Sequence, residues 1–300
     1  VATLASVNLS GGTDNAADPG ESVSMRLALG NASPVALNGA TGTLTTTTPG
    51  VTVTAATAQF PNVAQGGAGE SLAPFAFNIA GDVQCGAVIQ FTLEVSSQGS
   101  VSRLPFTVDV GNRQPFELFA DDVEQGEAKW THGSLIKKKK KRVDTWRIST
   151  KRFRSGGSAW FTPNPPQVTD SYLDTMPVQL PADGRDLQLV FYHTFEFEPG
   201  GFDGGVIEIS TGGTFEDLKD HILEGGYNGK IIFRTNPLFE RDAWISGRLG
   251  QFQRVVVDLS SFAGKTVTIR FRIGTDDAFQ ALGWYVDDAR IGGVHLTCTP

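Results

Sequence analysis

The sequence predicts an all-β protein, built as two β-sandwiches in series, and three observations predict it. Gly (35) and Phe (20) are frequent, Met and Cys number two each, and Ser, Thr and Val are abundant. That mixture suits pleated strands joined by tight turns. Apolar residues recur with period two over short runs bounded by Gly, Pro, Asn and Asp, and no long helical pattern competes with them.

Residues 1–111 form the first block, with seven acids against two bases, Arg26 and Arg103. Val23-Ser24-Met25-Arg26-Leu27-Ala28-Leu29 alternates cleanly and is entered through the turn Asp18-Pro19-Gly20. Thr43 to Thr45, Val51 to Val53, Phe75 to Ile79, Val88 to Val95 and Leu104 to Val110 continue the pattern. About seven short strands in about 110 residues are the signature of an Ig-like β-sandwich. Residues 112–300 form the second block, which carries all five Trp and all four Tyr. Its strands are longer: Leu187 to Phe195, Val206 to Ser210, Phe252 to Leu259 and Val267 to Ile273, with Arg270 and Arg272 on the polar face of the last.

Bulk properties narrow the function. A net charge of −7 argues against a generic nucleic-acid binder. No stretch approaches the roughly 20 apolar residues of a membrane helix. No charged-then-apolar leader is present, so a signal peptide is expected to be absent or removed, and Val1 in place of Met fits a processed piece. Cys85 and Cys298 are either one disulfide or two buried thiols; spacing alone leaves both open.

Two sets of residues carry resemblances. Pro19-Gly20-Glu21-Ser22-Val23 leading to Leu29-Gly30-Asn31, with Cys85-Gly86 before Phe91-Thr92-Leu93-Glu94-Val95, resembles the Ig-like module of many secreted bacterial proteases and adhesins. In the second block the anchors run in order. They are Asp121-Asp122-Val123-Glu124 with Trp130, Asp144-Thr145-Trp146, Ser155 to Phe161, and Glu198 through Phe202-Asp203-Gly204-Gly205 to Ser210. Trp244 to Gly247, Asp258 to Gly264, Arg270-Phe271-Arg272, Thr275-Asp276-Asp277 and Gly283-Trp284-Tyr285-Val286-Asp287-Asp288 follow. Residues 116–293 thereby resemble the MAM-like, or choice-of-anchor, jelly-roll domain found after fungalysin-like and other secreted bacterial peptidases. The resemblance implies a larger jelly-roll β-sandwich and a role in binding, adhesion or chain maturation.

The acids suggest a metal. Asp287 and Asp288 are adjacent in an otherwise apolar, strand-like run, and Asp121 and Glu124 sit in a similar segment about 165 residues earlier. Buried carboxylates are costly unless something pairs them. If the first and last strands pair, as the jelly-roll resemblance implies, Asp121, Glu124, Asp287 and Asp288 are expected to converge on one structural Ca2+, with Asp203 a further ligand. The plainer reading is that these acids cap turns and accept backbone hydrogen bonds.

Two further features are candidate ligand sites. Ten bases and one acid lie between residues 137 and 154, centred on Lys138, Lys139 and Lys140. They are expected either to meet a polyanion, such as acidic polysaccharide or anionic lipid, or to form a solvated loop. Trp160 and Trp244, being next to turns, are the tryptophans expected to be exposed for sugar stacking; a core role is expected for most of the five. Catalytic patterns are weak. Four His show no HExxH, no Gly-x-Ser-x-Gly elbow exists, and Glu196/Glu198 or Asp203/Glu208 only mimic a glycosidase pair.

The expected function is a non-catalytic accessory or adhesion region of a secreted bacterial protein, protease-associated. It would bind a surface, substrate or glycan, typically an extracellular polymer or polysaccharide, and be stiffened by calcium. The alternatives are a carbohydrate-binding module or glycoside-acting enzyme, and a structural subunit of a surface layer or filament that self-associates through edge strands.

Overall fold

The computed structural model describes residues 2–12, 14–138, 141–142 and 144–299. They are all-β, and the only helices are two single 3₁₀ turns. Among the described residues no helix is long and apolar enough to cross a membrane. The chain divides into two compact units, Val1–Gln114 with His295–Pro300, and Pro115–Val294. The expected boundary lies at 111/112, whereas the units divide after Gln114 and the last six residues group with the first unit. Cys85 and Cys298 are joined there by a disulfide, with their Cα atoms 5.9 Å apart.

The first unit contains β1 (Ala2–Ser10), β2 (Ser22–Asn31), β3 (Thr41–Thr46), β4 (Val51–Ala55), β5 (Thr57–Gln59), β6 (Ala68–Glu70), β7 (Phe75–Ile79), β8 (Val88–Ser97) and β9 (Ser100–Asp109). One sheet has the order β1-β2-β7-β4, with β6 also on β2; the other has β5-β3-β8-β9. This matches the two sheets of an Ig-like sandwich. Alternation decides which side faces in. Val23, Met25, Leu27 and Leu29 from β2 meet Phe75 and Phe77 from β7 and Ile89, Phe91, Leu93 and Val95 from β8 in one core.

The second unit begins within β10 (Asn112–Asp121) and continues through β11 (Trp130–Ser134), β12 (Lys137–Lys138), β13 (Lys141–Arg142), β14 (Arg147–Ser149), β15 (Ala159–Asn164), β16 (Thr169–Thr175) and β17 (Val178–Gln179). Then come β18 (Arg185–Glu196), β19 (Gly204–Ser210), β20 (Glu216–Asp217), β21 (Ile222–Glu224), β22 (Gly229–Lys230), β23 (Asp242–Ile245), β24 (Gln253–Asp258), β25 (Thr266–Thr275) and β26 (Ala281–Thr297). Its sheets contain the orders β15-β26-β18-β24 and β16-β25-β19-β23. Successive long strands therefore cross between sheets, β15 to β16, β18 to β19, β23 to β24 and β25 to β26, which is jelly-roll connectivity.

The core between these sheets follows from the sequence pattern. Val267, Ile269, Phe271 and Ile273 of β25 point inward, and so do Leu187, Leu189 and Phe191 of β18. Arg270 and Arg272 face outward as expected, and each clamps a carboxylate of β16 with two bonds, to Asp174 and Asp170 respectively. Such forked pairs fix strand register as well as adding energy. Trp284 occupies the space that a side chain at Gly205 would need, since a Cβ there would come within 2.6 Å of the indole. β19 is buried along its whole length because residues after β21 cover its outer side, with Ile231, Leu238 and Ala243 packing on Val206.

Candidate metal centre

Four segments reach one end of the jelly roll and place oxygen atoms together. β15 ends at Asn164, Glu198 follows β18 by two residues, Asp203 immediately precedes β19, and Asp276 immediately follows β25. The β19/β25 register, in which Gly204 faces Gly274, brings the last two side by side. Glu198, Asp203 and Asp276 each offer a carboxylate oxygen, and these atoms lie within 4.8 Å of one another. No other group of three or more His, Cys, Asp or Glu among the described residues meets that criterion.

Burial makes this cluster costly. Asp203, Asp276 and Asn164 are at most 1 % exposed, and Glu198, nearest the surface, is 9 % exposed. At such separations two unit charges repel by roughly 3 kcal/mol even with effective screening of the kind found in proteins. Burial, followed by the charge of Asp276, raises the pKa of Glu198. Burial pushes Asp203 up to about 6, against the lowering effect of its hydrogen bonds from the Asp276 backbone and Asn164.

The protein only partly compensates these groups. Asp203 is the best served: it accepts the Asp276 N–H at 2.7 Å and the Asn164 Nδ2 amide at 2.6 Å. Asp276 accepts the Ala278 N–H at 2.9 Å through one oxygen. Its other oxygen, Glu198 Oε2 and Asn164 Oδ1 are buried without a hydrogen-bond partner. Buried polar atoms are normally satisfied, so three orphaned oxygens at one carboxylate cluster make it a candidate to hold a group of positive charge. The donor set is all oxygen, with no His or Cys, which suits a hard cation. Calcium accepts a flexible set of six to eight oxygens, whereas magnesium retains several waters that so enclosed a site would hold poorly.

The acids expected to meet around one ion are arranged differently. Asp121 accepts the Trp130 indole N–H at 2.6 Å, with the Lys129 ammonium 3.9 Å away, and its pKa is raised chiefly by burial. Glu124 is exposed and accepts the N–H groups of Gly157 and Ser158, each at 2.8 Å. Asp287 accepts the Arg154 N–H at 2.7 Å and that of Ser155 at 3.4 Å, and burial pushes it up to about 6. Asp288 holds the Arg154 guanidinium and the Ser155 hydroxyl, both at 2.7 Å. The convergence of Asp121, Glu124, Asp287 and Asp288 on one ion is therefore corrected. A turn at Arg154-Ser155 supplies the pairing, and its guanidinium would repel a cation. Of the five expected ligands only Asp203 lies in the cluster.

Glu198, Asp276 and Asn164 were not expected as ligands. Glu198 and Asp276 stood in motifs already singled out, Glu198 to Asp203 and Thr275-Asp276-Asp277, whereas nothing in the local pattern of Asn164 marks it. The exposure expected of Trp160 and Trp244 is also corrected. Both are buried, Trp160 against Trp130 and Trp244 against His193, Tyr227 and Trp284. They sit next to turns but point inward from β15 and β23. Lys138 belongs to the β12/β13 hairpin, while Lys139 and Lys140 lie outside the described residues.

No protein-family model matches this chain, and no curated protein matches it. Among solved structures it is similar to the K1 cleaved adhesin domain of Lys-gingipain from Porphyromonas gingivalis W83. The identity is 17 %, covering 63 % of this chain and 100 % of that one, with a TM-score of 0.31. It is similar to carbohydrate-binding modules from the β-sandwich superfamily, at 11 % identity over 96 % of each chain and a TM-score of 0.32. It is also similar to the CBM22-1–CBM22-2 tandem of Paenibacillus barcinonensis Xyn10C, at 12 % identity over 99 % of this chain and 93 % of that one, with a TM-score of 0.30. At such scores these likenesses carry no argument about function.

Proposed function

We propose that this chain is a non-catalytic attachment region of an extracellular protein, and that one Ca2+ holds the loops at one end of its jelly roll. The observation that carries the reading is the group of buried carboxylates, Glu198, Asp203 and Asp276, with oxygens left unpartnered beside Asn164. These four side chains would hold the ion. Its charge would offset their repulsion and tie together the segments after β15, β18 and β25 and before β19. Support for an extracellular setting comes from the Cys85–Cys298 disulfide, because such bonds persist in oxidising compartments. Association with a secreted protease rests on the sequence resemblance alone. Glycan stacking on Trp160 and Trp244 has no support, since both rings are in the core.

Isothermal titration calorimetry of the whole chain with CaCl2 tests the reading. The expected result is one site per chain, with affinity reduced on the order of a hundredfold in Asp203→Asn, as removal of a buried ligand charge implies. Saturable binding of equal strength in that variant would remove the site.

A further inference from the structure

We infer that the loops around the cation site form a docking face for an anionic phospholipid bilayer, presented when the cation is bound; this inference rests on the calcium reading. Residues 276–282 run from the cluster to β26. Asp276 is part of the cluster, and the Phe279 backbone N–H favours the charged form of the Glu198 carboxylate. From this segment Phe279 is 70 % exposed and Leu282 56 % exposed. A second loop reads Lys230-Ile231-Ile232-Phe233-Arg234. Ile231 is buried beneath it, whereas Ile232 is 61 % and Phe233 37 % exposed.

The first loop starts at a residue of the site, and the second is fastened to residues adjacent to those that build it. The Ile232 N–H donates to the Gly201 carbonyl at 2.9 Å, and the Phe233 ring lies 5.4 Å from that of Phe202, which precedes Asp203. Asn236 donates to the Phe202 carbonyl at 2.7 Å and the Gly274 carbonyl at 2.8 Å, linking the second loop to β25, the strand that leads into Asp276. Isolated exposed apolar residues are ordinary on any protein. Four of them, three on two loops and Leu282 at the start of β26, beside one carboxylate cluster are a grouped feature.

The charges around them name the occupant. Lys230 and Arg234 flank the exposed Ile232-Phe233 pair, and Arg248 stands on the loop whose Leu249 N–H reaches Glu196, two residues before Glu198. All three are exposed, and among the described residues none of them forms an ion pair. At Ile232-Phe233, apolar side chains between exposed cations match a surface with anionic headgroups over hydrocarbon, while Phe279 has the exposed Asp277 two residues before it. A glycan fits less well, because Ile232 and Leu282 offer neither a flat ring nor a hydrogen bond. Without the cation, the carboxylates repel one another and the mooring of residues 276–282 at Asp276 is weakened.

Co-sedimentation of the full chain with vesicles tests this, using phosphatidylcholine alone and phosphatidylcholine mixed with phosphatidylserine, in calcium and in chelator. The melting temperature of each protein with and without calcium is read in parallel. Expected is capture by the mixed vesicles in calcium, reduced roughly tenfold or more in Phe279→Ser with Ile232→Ser, as loss of inserted apolar area implies. Those variants should keep the calcium-dependent rise in melting temperature, and Asp203→Asn should lose both readouts. A rise in melting temperature without vesicle capture would overturn the docking face and leave the metal site standing. No rise would remove the metal site itself. Capture undiminished in chelator or in the double variant would overturn the proposal, and so would retention on an insoluble polysaccharide in place of vesicles.

Discussion

The two sandwiches secure their chains by different means. In the first, a covalent bond fastens the C-terminal segment: Cys298 is joined to Cys85, and Thr299 donates to the buried Asp18 carboxylate. In the second, charge does the corresponding work. The Arg154-Ser155 turn neutralises Asp287 and Asp288 with donors from the chain itself. At Glu198, Asp203 and Asp276 the chain supplies too few donors, and the reading proposed above places a cation there. Both acidic sets of the second sandwich bring buried carboxylates together. What separates them is the count of donors, and that count predicts which set responds to metal.

The largest expected effect separates the units. Reducing the disulfide removes a cross-link between residues 213 apart in sequence, for which chain entropy sets an upper limit of about 5 kcal/mol. The first unit's unfolding transition should fall in dithiothreitol while the second's calcium response persists. Differential scanning calorimetry reads both, and a loss of the calcium response on reduction would break the comparison. Next in size is Arg154→Ala. It leaves Asp288 buried with only the Ser155 hydroxyl, a cost of about 3 kcal/mol, reduced where solvent reaches the half-exposed guanidinium. Denaturant unfolding should show the same loss with calcium and with chelator; a loss confined to calcium would place the ion at the wrong acids.

Much of this was legible in the sequence, and the failures have physical causes. The period-two runs located the cores of β2, β18 and β25, and the outward Arg270 and Arg272 were correctly placed. Asp203 was visible because the Phe202-Asp203-Gly204-Gly205 turn carries a lone acid into a buried strand. Glu198 was masked by Glu196: the two look like one strand face, but β18 ends at Glu196 and Glu198 belongs to the loop beyond. Asn164 is neutral, and its membership depends on which strand ends meet across the sandwich, a matter of topology. Asp287 and Asp288 misled for the converse reason. Their partner Arg154 lies more than a hundred residues away, at the end of a basic stretch that gave no sign of facing them.

A further prediction concerns pH. His193 is buried among Phe191, Phe195, Trp244 and Trp284, and burial lowers its pKa to about 3. The unfolded chain, with an ordinary His near 6.5, therefore binds more protons between those values, and stability falls as pH drops through that window. Asp203 and Asp287 act oppositely: raised to about 6, they contribute stability that is present below about 4 and lost as pH rises through 6. In chelator, His193→Leu should flatten the loss of stability from pH 6.5 downward, read as urea midpoints. An unchanged slope would mean that His193 is not the group responsible. The proton on Asp203 also competes with calcium, so calcium should stabilise more at pH 7 than at pH 5.

Thermal unfolding of the wild-type chain and Asp203→Asn, in millimolar calcium and in chelator, tests the central claim most directly. An ion about a hundredfold above its dissociation constant stabilises by about 2.7 kcal/mol, which for a unit of this size raises the midpoint by roughly 5–10 °C. The account predicts that rise in the wild type and little or none in Asp203→Asn. In chelator the variant should be as stable as the wild type or more so, because one of three repelling charges is gone. Equal midpoints for the wild type in the two conditions, or an equal rise in the variant, would contradict it.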